Sequence, residues 1–368
     1  MKAMTARERL FAALEGRSTD RVPIWLLFPW HPAPYYVDVR QHPAYRPIHE
    51  LAQQYCITLN RRHLWAPLYR SDVEFTRADS ADPTACHSLV WPGGRHEWRQ
   101  GCRMLEEDSD LEKVAGVPIE TDEAVLLPAL ERAAEIVRRE REEFPLDAGA
   151  MMLDLGEPIG HIYHSAKLES LSIWSVTHPA LVEQMLENLM RRLRIIYRFA
   201  LENDLADVYF FVGSELAAPP FVGLETFERW IMPYASELIE LVRSYGKKTI
   251  QHFHGHIREI LPGFRGMGPD ALHTIEAPPV GNCTWTEAYQ ELGDNMTLIG
   301  NVQYDDFRSM SENAMRKAVR EVLAECAGRR LILSPSAGPY DESPPATLIE
   351  NYRIFIDEAW KHGAWELR

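Results

Sequence analysis

The segment Gln251-His252-Phe253-His254-Gly255-His256 is the densest run of chemically competent side chains in the chain. On a strand, residues two apart project to the same side, so His252 and His254 can present two neutral imidazoles to one point. Glu276 follows at the predicted end of the next strand and supplies a carboxylate. Together the three form a 2-His-1-carboxylate set, which suits zinc, ferrous iron or another divalent metal with open coordination positions. The same residues also fit a metal-free polar site, in which the histidines hydrogen-bond substrate or one another and Glu276 pairs with an arginine.

A second signal is Val212-Gly213-Ser214-Glu215 running into Ala217-Ala218-Pro219-Pro220. A carboxylate that follows an apolar strand into a proline-bounded loop can act as general acid or base, or can anchor substrate. Capping of backbone amides is the alternative role for Glu215. Asp154 and Glu157, in Leu153-Asp154-Leu155-Gly156-Glu157-Pro158, occupy a comparable loop, and Asp154 is taken with Glu215 as a catalytic candidate. Trp25, Phe28, Trp30 and Tyr35, interleaved with Pro29, Pro32 and Pro34, either wall a flat or apolar substrate or seal a barrel end. Asn301, Gln303 and Ser336, at or just past two later strand ends, complete the expected substrate-binding set.

These residues need a scaffold that brings many strand ends to one place. From about Leu146 the chain alternates short apolar or β-branched runs with long amphipathic patterns, the rhythm of βα units around a parallel sheet. Expected strands are 150–154, 207–212, 248–252, 271–276, 297–302 and 331–334. Expected helices are 179–202, 225–245 with a bend at Pro233, and 311–327. Before Leu146 a helix at 6–15 and a strand at 22–27 are followed by a long stretch with few helical patterns. Within it, residues 69–104 carry hairpin signals, notably Trp91-Pro92-Gly93-Gly94. The expected fold is a single (β/α)8 TIM barrel domain over 1–368, with an N-terminal helical extension and a β-hairpin insertion at 69–104. In such barrels chemistry sits at the C-terminal strand ends.

Composition narrows the partners. The net charge of -15 opposes sequence-independent binding to nucleic acid or to an anionic membrane surface. The five cysteines form no C-x-x-C pair, which gives neither a disulfide framework nor a thiolate zinc knuckle and fits a reducing cytoplasm. The residues from Met1 to Glu15 lack the apolar run of a signal peptide, and no membrane span is expected.

The opening Arg7-Glu8-Arg9-Leu10-Phe11 through Asp20-Arg21-Val22-Pro23-Ile24-Trp25 resembles that of the uroporphyrinogen decarboxylase superfamily. So do Gly213-Ser214-Glu215, His252-Phe253-His254-Gly255, Gly300-Asn301 and Ser334-Pro335-Ser336-Ala337-Gly338. The resemblance covers nearly the whole chain and is closer to the corrinoid-dependent methyltransferases than to the true decarboxylases. Where the decarboxylases hold substrate carboxylates with two arginines, this sequence has Phe28 and Pro32. Where the zinc-dependent methyltransferases ligate metal through His-x-Cys and a later Cys, it has His252, His254 and Ala337, with Glu276 between.

The resemblance thus implies a methyltransferase that moves a methyl group from a small methoxy or N-methyl compound to a partner corrinoid protein. A zinc or other divalent metal would sit at the histidines, and cobalamin would be carried by the partner. A homodimer is left open. The alternatives are a lyase or decarboxylase for a small non-porphyrin substrate, and a non-catalytic barrel.

Overall fold

The computed structural model describes residues 3–82 and 84–364. Pro83 and the two ends of the expected 1–368 domain lie outside the described residues. Ten strands occur among the described residues. They are β1 (Thr58–Arg62), β2 (Glu74–Thr76), β3 (Cys86–Trp91), β4 (Gly94–Arg99), β5 (Gly149–Leu153), β6 (Val208–Phe211), β7 (Lys248–His252), β8 (Ala271–His273), β9 (Thr297–Val302) and β10 (Leu331–Pro335). Seven of them form one parallel sheet in the order β1-β5-β6-β7-β8-β9-β10. Neighbours in space follow one another in sequence, as single-direction βα winding requires.

The segment at Ile24 and Trp25 closes this sheet. Trp25 donates its N–H to Leu333 O at 2.9 Å, and Ile57 donates to Ile24 O at 2.8 Å. Ile24 bridges to Leu333 and Trp25 to Ile57, both in parallel. The eighth stave therefore joins β10 to the residue preceding β1, and the sheet becomes a barrel of the expected (β/α)8 type.

Alternation along each strand splits the apolar residues between two compartments. Trp25, Leu59, Met152, Val208, Phe210, Ile250, Ala271, Ile299 and Ile332 pack in the barrel interior. Tyr209, Phe211, Leu272 and Leu298 face outward, beneath helices such as Pro179–Glu202. Strands buried on both faces read as continuous apolar runs, as Val208–Phe211 does. Two residues beyond the apolar interior positions Leu59, Met152, Ile250 and Ala271 stand Arg61, Asp154, His252 and His273. One upper layer of the barrel interior is thus polar.

The first 145 residues hold more regular structure than the sequence indicates. Helices Arg46–Tyr55, Asp108–Val114 and Glu123–Glu143 occupy the stretch expected to have few. The last buries only Leu126, Leu130, Ala134 and Val137, and Pro128 lies inside it, so its apolar stripe is narrow and interrupted. The expected bend at Pro233 is a break, with separate helices Leu224–Trp230 and Met232–Ser244. Proline lacks an N–H and is accommodated in the first turn of the second helix. β8 ends at His273, three residues short of Glu276.

The insertion is a three-stranded antiparallel sheet in the order β2-β3-β4. Trp91 pairs with Gly94 across the two-residue turn Pro92-Gly93. A Cβ at Gly94 would lie 2.8 Å from the Trp91 ring, so only glycine lets that ring fold over the turn.

Candidate active site

At the C-terminal strand ends lies a cavity of about 670 Å³, lined among others by Tyr35, Asp154, Glu215, His252 and His254. Five of the residues selected from sequence therefore converge on one space. Arg61, Tyr36, Glu157, Arg192 and Tyr340 also line it; of these, Glu157 is noted in the sequence beside Asp154 but without an assigned role.

Arg61 is, with Arg192, one of two buried arginines among the described residues that line the cavity. Its Nε donates to Asp154 Oδ2 at 3.1 Å, its terminal nitrogen forms a second, shorter bond to the same oxygen, and a further bond reaches Tyr36 Oη at 2.9 Å. The guanidinium also lies 5.1 Å from the centroid of the Phe210 ring. Burial opposes its charge, but Asp154 outweighs that and holds the Arg61 pKa above its ordinary value. Asp154 thus orients and neutralises Arg61.

The histidines are ordered by their partners. His273 Nε2 lies 3.1 Å from Pro335 O, and a carbonyl only accepts, so that nitrogen carries the proton. Burial pushes the His273 pKa down to about 3, and burial followed by the neighbouring imidazoles pushes His252 well below its ordinary value. In the neutral pair, His273 Nδ1 is the acceptor, and His252 Nδ1, 2.7 Å away, is the donor. His252 Nε2 is left with its lone pair.

His254 has the opposite character. Its Nδ1 lies 3.1 Å from Glu276 Oε1, while Glu276 Oε2 accepts from the Gly255 N–H at 2.6 Å. Burial works against charge on His254, but the hydrogen bond and charge of Glu276 prevail and raise its pKa. Burial likewise raises the Glu276 pKa, yet the bond and charge of His254 bring it below the ordinary value. Once His254 is protonated the two form an ion pair, with Glu276 buried and His254 half-buried.

This pairing bears on the metal. Each Glu276 oxygen accepts a hydrogen bond, one from His254 and one from the Gly255 N–H, so in this arrangement the carboxylate orients His254. Among the described residues, no group of three His, Cys, Asp or Glu side chains is arranged to hold a metal ion. The expected three-ligand set is not assembled, because β8 ends early and carries Glu276 out to the side of His254. The loop after Glu276 is tight: a Cβ at Gly281 would fall 2.1 Å from Glu276 O.

Glu157 is almost wholly enclosed. Its Oε2 accepts from Ser214 Oγ at 2.7 Å and from Gln251 Nε2 at 2.9 Å. Burial pushes its pKa up to about 7, the two hydrogen bonds work downward, and the charges of Glu215 and Asp154 add to the rise. Glu215 Oε2 accepts from the Gly213 N–H at 2.9 Å.

The remaining expected site residues have other work. Trp25 is in the barrel interior, edge-on to Phe210, with ring centroids 6.0 Å apart. Phe28 packs on Tyr45 and Tyr352 in the outer core. Trp30 packs on Phe144 and beneath Arg40, and its N–H donates to Asn60 Oδ1. Of the four aromatics, only Tyr35 lines the cavity. Asn301 donates to Ile275 O, and Ser336 Oγ donates to Gln303 Oε1 at 3.0 Å, so these three tie loops together outside the cavity lining.

A spacing signal was present for two of the residues not selected. Arg61 and His273 each stand two positions beyond an apolar interior residue, the placement that singles out His252.

Several known proteins share this framework. A methylcobamide:CoM methyltransferase (MtaA) of Methanosarcina barkeri is 22% identical over 363 residues, covering 97% of this chain and 98% of its own length. The corresponding enzyme of M. barkeri strain Fusaro / DSM 804 is similar to the same extent. A methyltransferase structure from Methanosarcina mazei superimposes with a TM-score of 0.62 at 18% identity, covering 97% of this chain and 99% of that one. Residues 109–362 match the family described as uroporphyrinogen decarboxylase (URO-D). The match spans more than half of the chain, which therefore belongs to the uroporphyrinogen decarboxylase (URO-D) family.

Proposed function

We propose that this single barrel domain, with its 69–104 insertion, is a corrinoid-dependent methyltransferase that passes a methyl group from a small methoxy or N-methyl compound to a partner corrinoid protein. The observation that carries this is the conjunction of one cavity at the strand ends, which holds imidazole, carboxylate and guanidinium side chains, with likeness to methylcobamide:CoM methyltransferases over 97% of the chain. Cobalamin, carried by the partner docked over the cavity mouth, would supply the methyl-accepting nucleophile. No described helix is long and apolar enough to cross a membrane. A cytoplasmic location agrees with the cysteine usage.

The chain's own residues would bind and orient the methyl donor. His252 Nε2 offers an acceptor and His254, whose pKa Glu276 raises, offers a donor when protonated, while Arg61 is fixed by Asp154 and Tyr36. Glu215 would anchor the substrate from the opposite loop. A decarboxylase for polycarboxylates needs cations free to bind them. Here Arg61 is held by Asp154, Arg192 donates to the carbonyls of Ala66 and Pro67, and Phe28 is core. Hydrogen-bonding imidazoles suit an oxygen or nitrogen substituent better than a soft thiol, which binds through thiolate-type metal sites.

The test is methyl transfer to reduced corrinoid, followed by its absorbance change, with purified protein and a panel of methoxy and N-methyl compounds. Transfer that depends on both protein and corrinoid is expected. Turnover without added corrinoid, or none with any donor, rejects the assignment.

A further inference from the structure

Resting on the methyl-transfer reading, we infer that Glu157 is the proton donor to the leaving oxygen, and that the substrate of this cavity is a methyl ether of a small alcohol or phenol.

The geometry carries this. Glu157 lines the cavity at only 1% exposure. Both of its donors, Ser214 and Gln251, converge on Oε2. Among the described residues none is directed at Oε1, which is therefore the oxygen able to hold a proton. Burial favours the acid form, and the pKa of about 7 keeps a substantial share of it protonated at neutral pH. Glu157 is the N-cap residue of the helix Pro158–Ser165, yet its side chain makes no capping bond and turns inward instead.

The donor type follows from what each leaving group needs. When the CH3–O bond of an ether breaks, its electron pair stays on oxygen and leaves a basic alkoxide or phenoxide. The methyl carbon bonds to the electron pair of the corrinoid nucleophile. The Glu157 proton passes to the oxygen, giving the free alcohol or phenol and a Glu157 carboxylate. Ser214 and Gln251 stabilise that carboxylate until solvent returns a proton. A methylammonium donor departs as a neutral amine and needs no such acid.

The experiment compares wild type with Glu157→Gln, using chemically reduced free cobalamin as acceptor. The donors are ring-substituted methoxybenzenes of graded leaving-group basicity, with N-methylpyridinium and tetramethylammonium beside them. Wild type should demethylate the ethers, and its kcat should fall as pH rises through about 7. Glu157→Gln should lose roughly 10²- to 10⁴-fold on the ethers, least for the least basic leaving oxygen. Ser214→Ala, which removes a donor to the ionised form, should move the alkaline limb to higher pH.

Ether turnover undiminished in Glu157→Gln, or faster wild-type turnover of the ammonium donors than of any ether, overturns this inference and leaves the methyl-transfer reading standing. No transfer from any donor overturns the methyl-transfer reading itself, and the catalytic role with it. Infrared difference spectra read the Glu157 proton without turnover. A carboxyl that ionises in the ordinary carboxylate range removes Glu157 as the acid whatever the kinetics.

Discussion

His252 Nδ1 donates to His273 Nδ1 across 2.7 Å, and this contact fixes which nitrogen of His252 is left for the cavity. The chain of constraint starts at Pro335 O, which holds the proton on His273 Nε2 at 3.1 Å. β7, β8 and β10 therefore cooperate in setting one tautomer. His273 is not itself part of the cavity lining and acts through His252, which is.

Replacing His273 by Phe tests this. The His252 Nδ1–H loses its acceptor in a buried position, which costs about 1–3 kcal/mol. Ring ¹⁵N shifts should show a single Nδ1–H tautomer of His252 in wild type and a mixture in the variant. Loss of substrate affinity should accompany the mixing. An unchanged tautomer in His273→Phe contradicts the relay.

Arg61 and Asp154 are a buried pair, so the two single variants should be far worse than the double. Arg61→Met leaves Asp154 uncompensated and should cost roughly 3–5 kcal/mol in stability, whereas Arg61→Met with Asp154→Leu should recover most of it. Denaturant unfolding of the four proteins measures the coupling. Additive losses would show that the two charges do not depend on one another.

Much of this architecture was legible from sequence for a physical reason. Strands β7 and β9 and the helix Pro179–Glu202 carry apolar periods that packing enforces, and their bounds agree with expectation to the residue. β1 was missed because its Asn60, Arg61 and Arg62 break the apolar run. Polar residues at a strand end weaken the local signal where function needs them. For the site, strand-end placement found Asp154, Glu215, His252 and His254 as cavity residues. For Trp25 and Phe28 it leaves a binding wall and a barrel seal both open, because an aromatic side chain serves either equally well, and the structure places both in the core. The engagement of Glu276 depends on where β8 stops, which spacing does not show.

Of the histidines that line the cavity, His252 and His254 stand side by side, and among the described residues no third ligand is grouped with them, so the site should gain metal affinity when one is supplied. Ala337 lines the cavity together with His252 and His254. Ala337→Cys combined with His254→Cys places two thiolates beside His252, a set suited to tetrahedral zinc with one open position. Elemental analysis should find wild-type protein, purified without chelators, well below one zinc per chain and the double variant near one. A full equivalent of zinc in wild type, lost on His254→Ala, would restore the three-ligand reading that Glu276's bonds oppose.

The titration of Glu157 also has a sign that stability measurements can read. Its folded pKa of about 7 lies above the ordinary 4.5, so between these values the folded chain holds a proton that the unfolded chain has released. Its contribution is present in full below about pH 4.5 and is lost as pH rises through about 7, on the order of 3 kcal/mol in total. The buried histidines act in the other direction. His273, at about 3, and His161, pushed down to about 4 chiefly by burial, stay neutral when folded. Their contribution is present above about 6.5, their ordinary value, and is lost as pH falls through those folded values. The difference in unfolding free energy between wild type and Glu157→Gln isolates the carboxyl from the histidines. It should turn against wild type as pH rises from about 4.5 to about 7, and then level off. A difference that is flat across that interval would mean that Glu157 is ionised in the folded protein, and the acid would have to be sought elsewhere in the cavity.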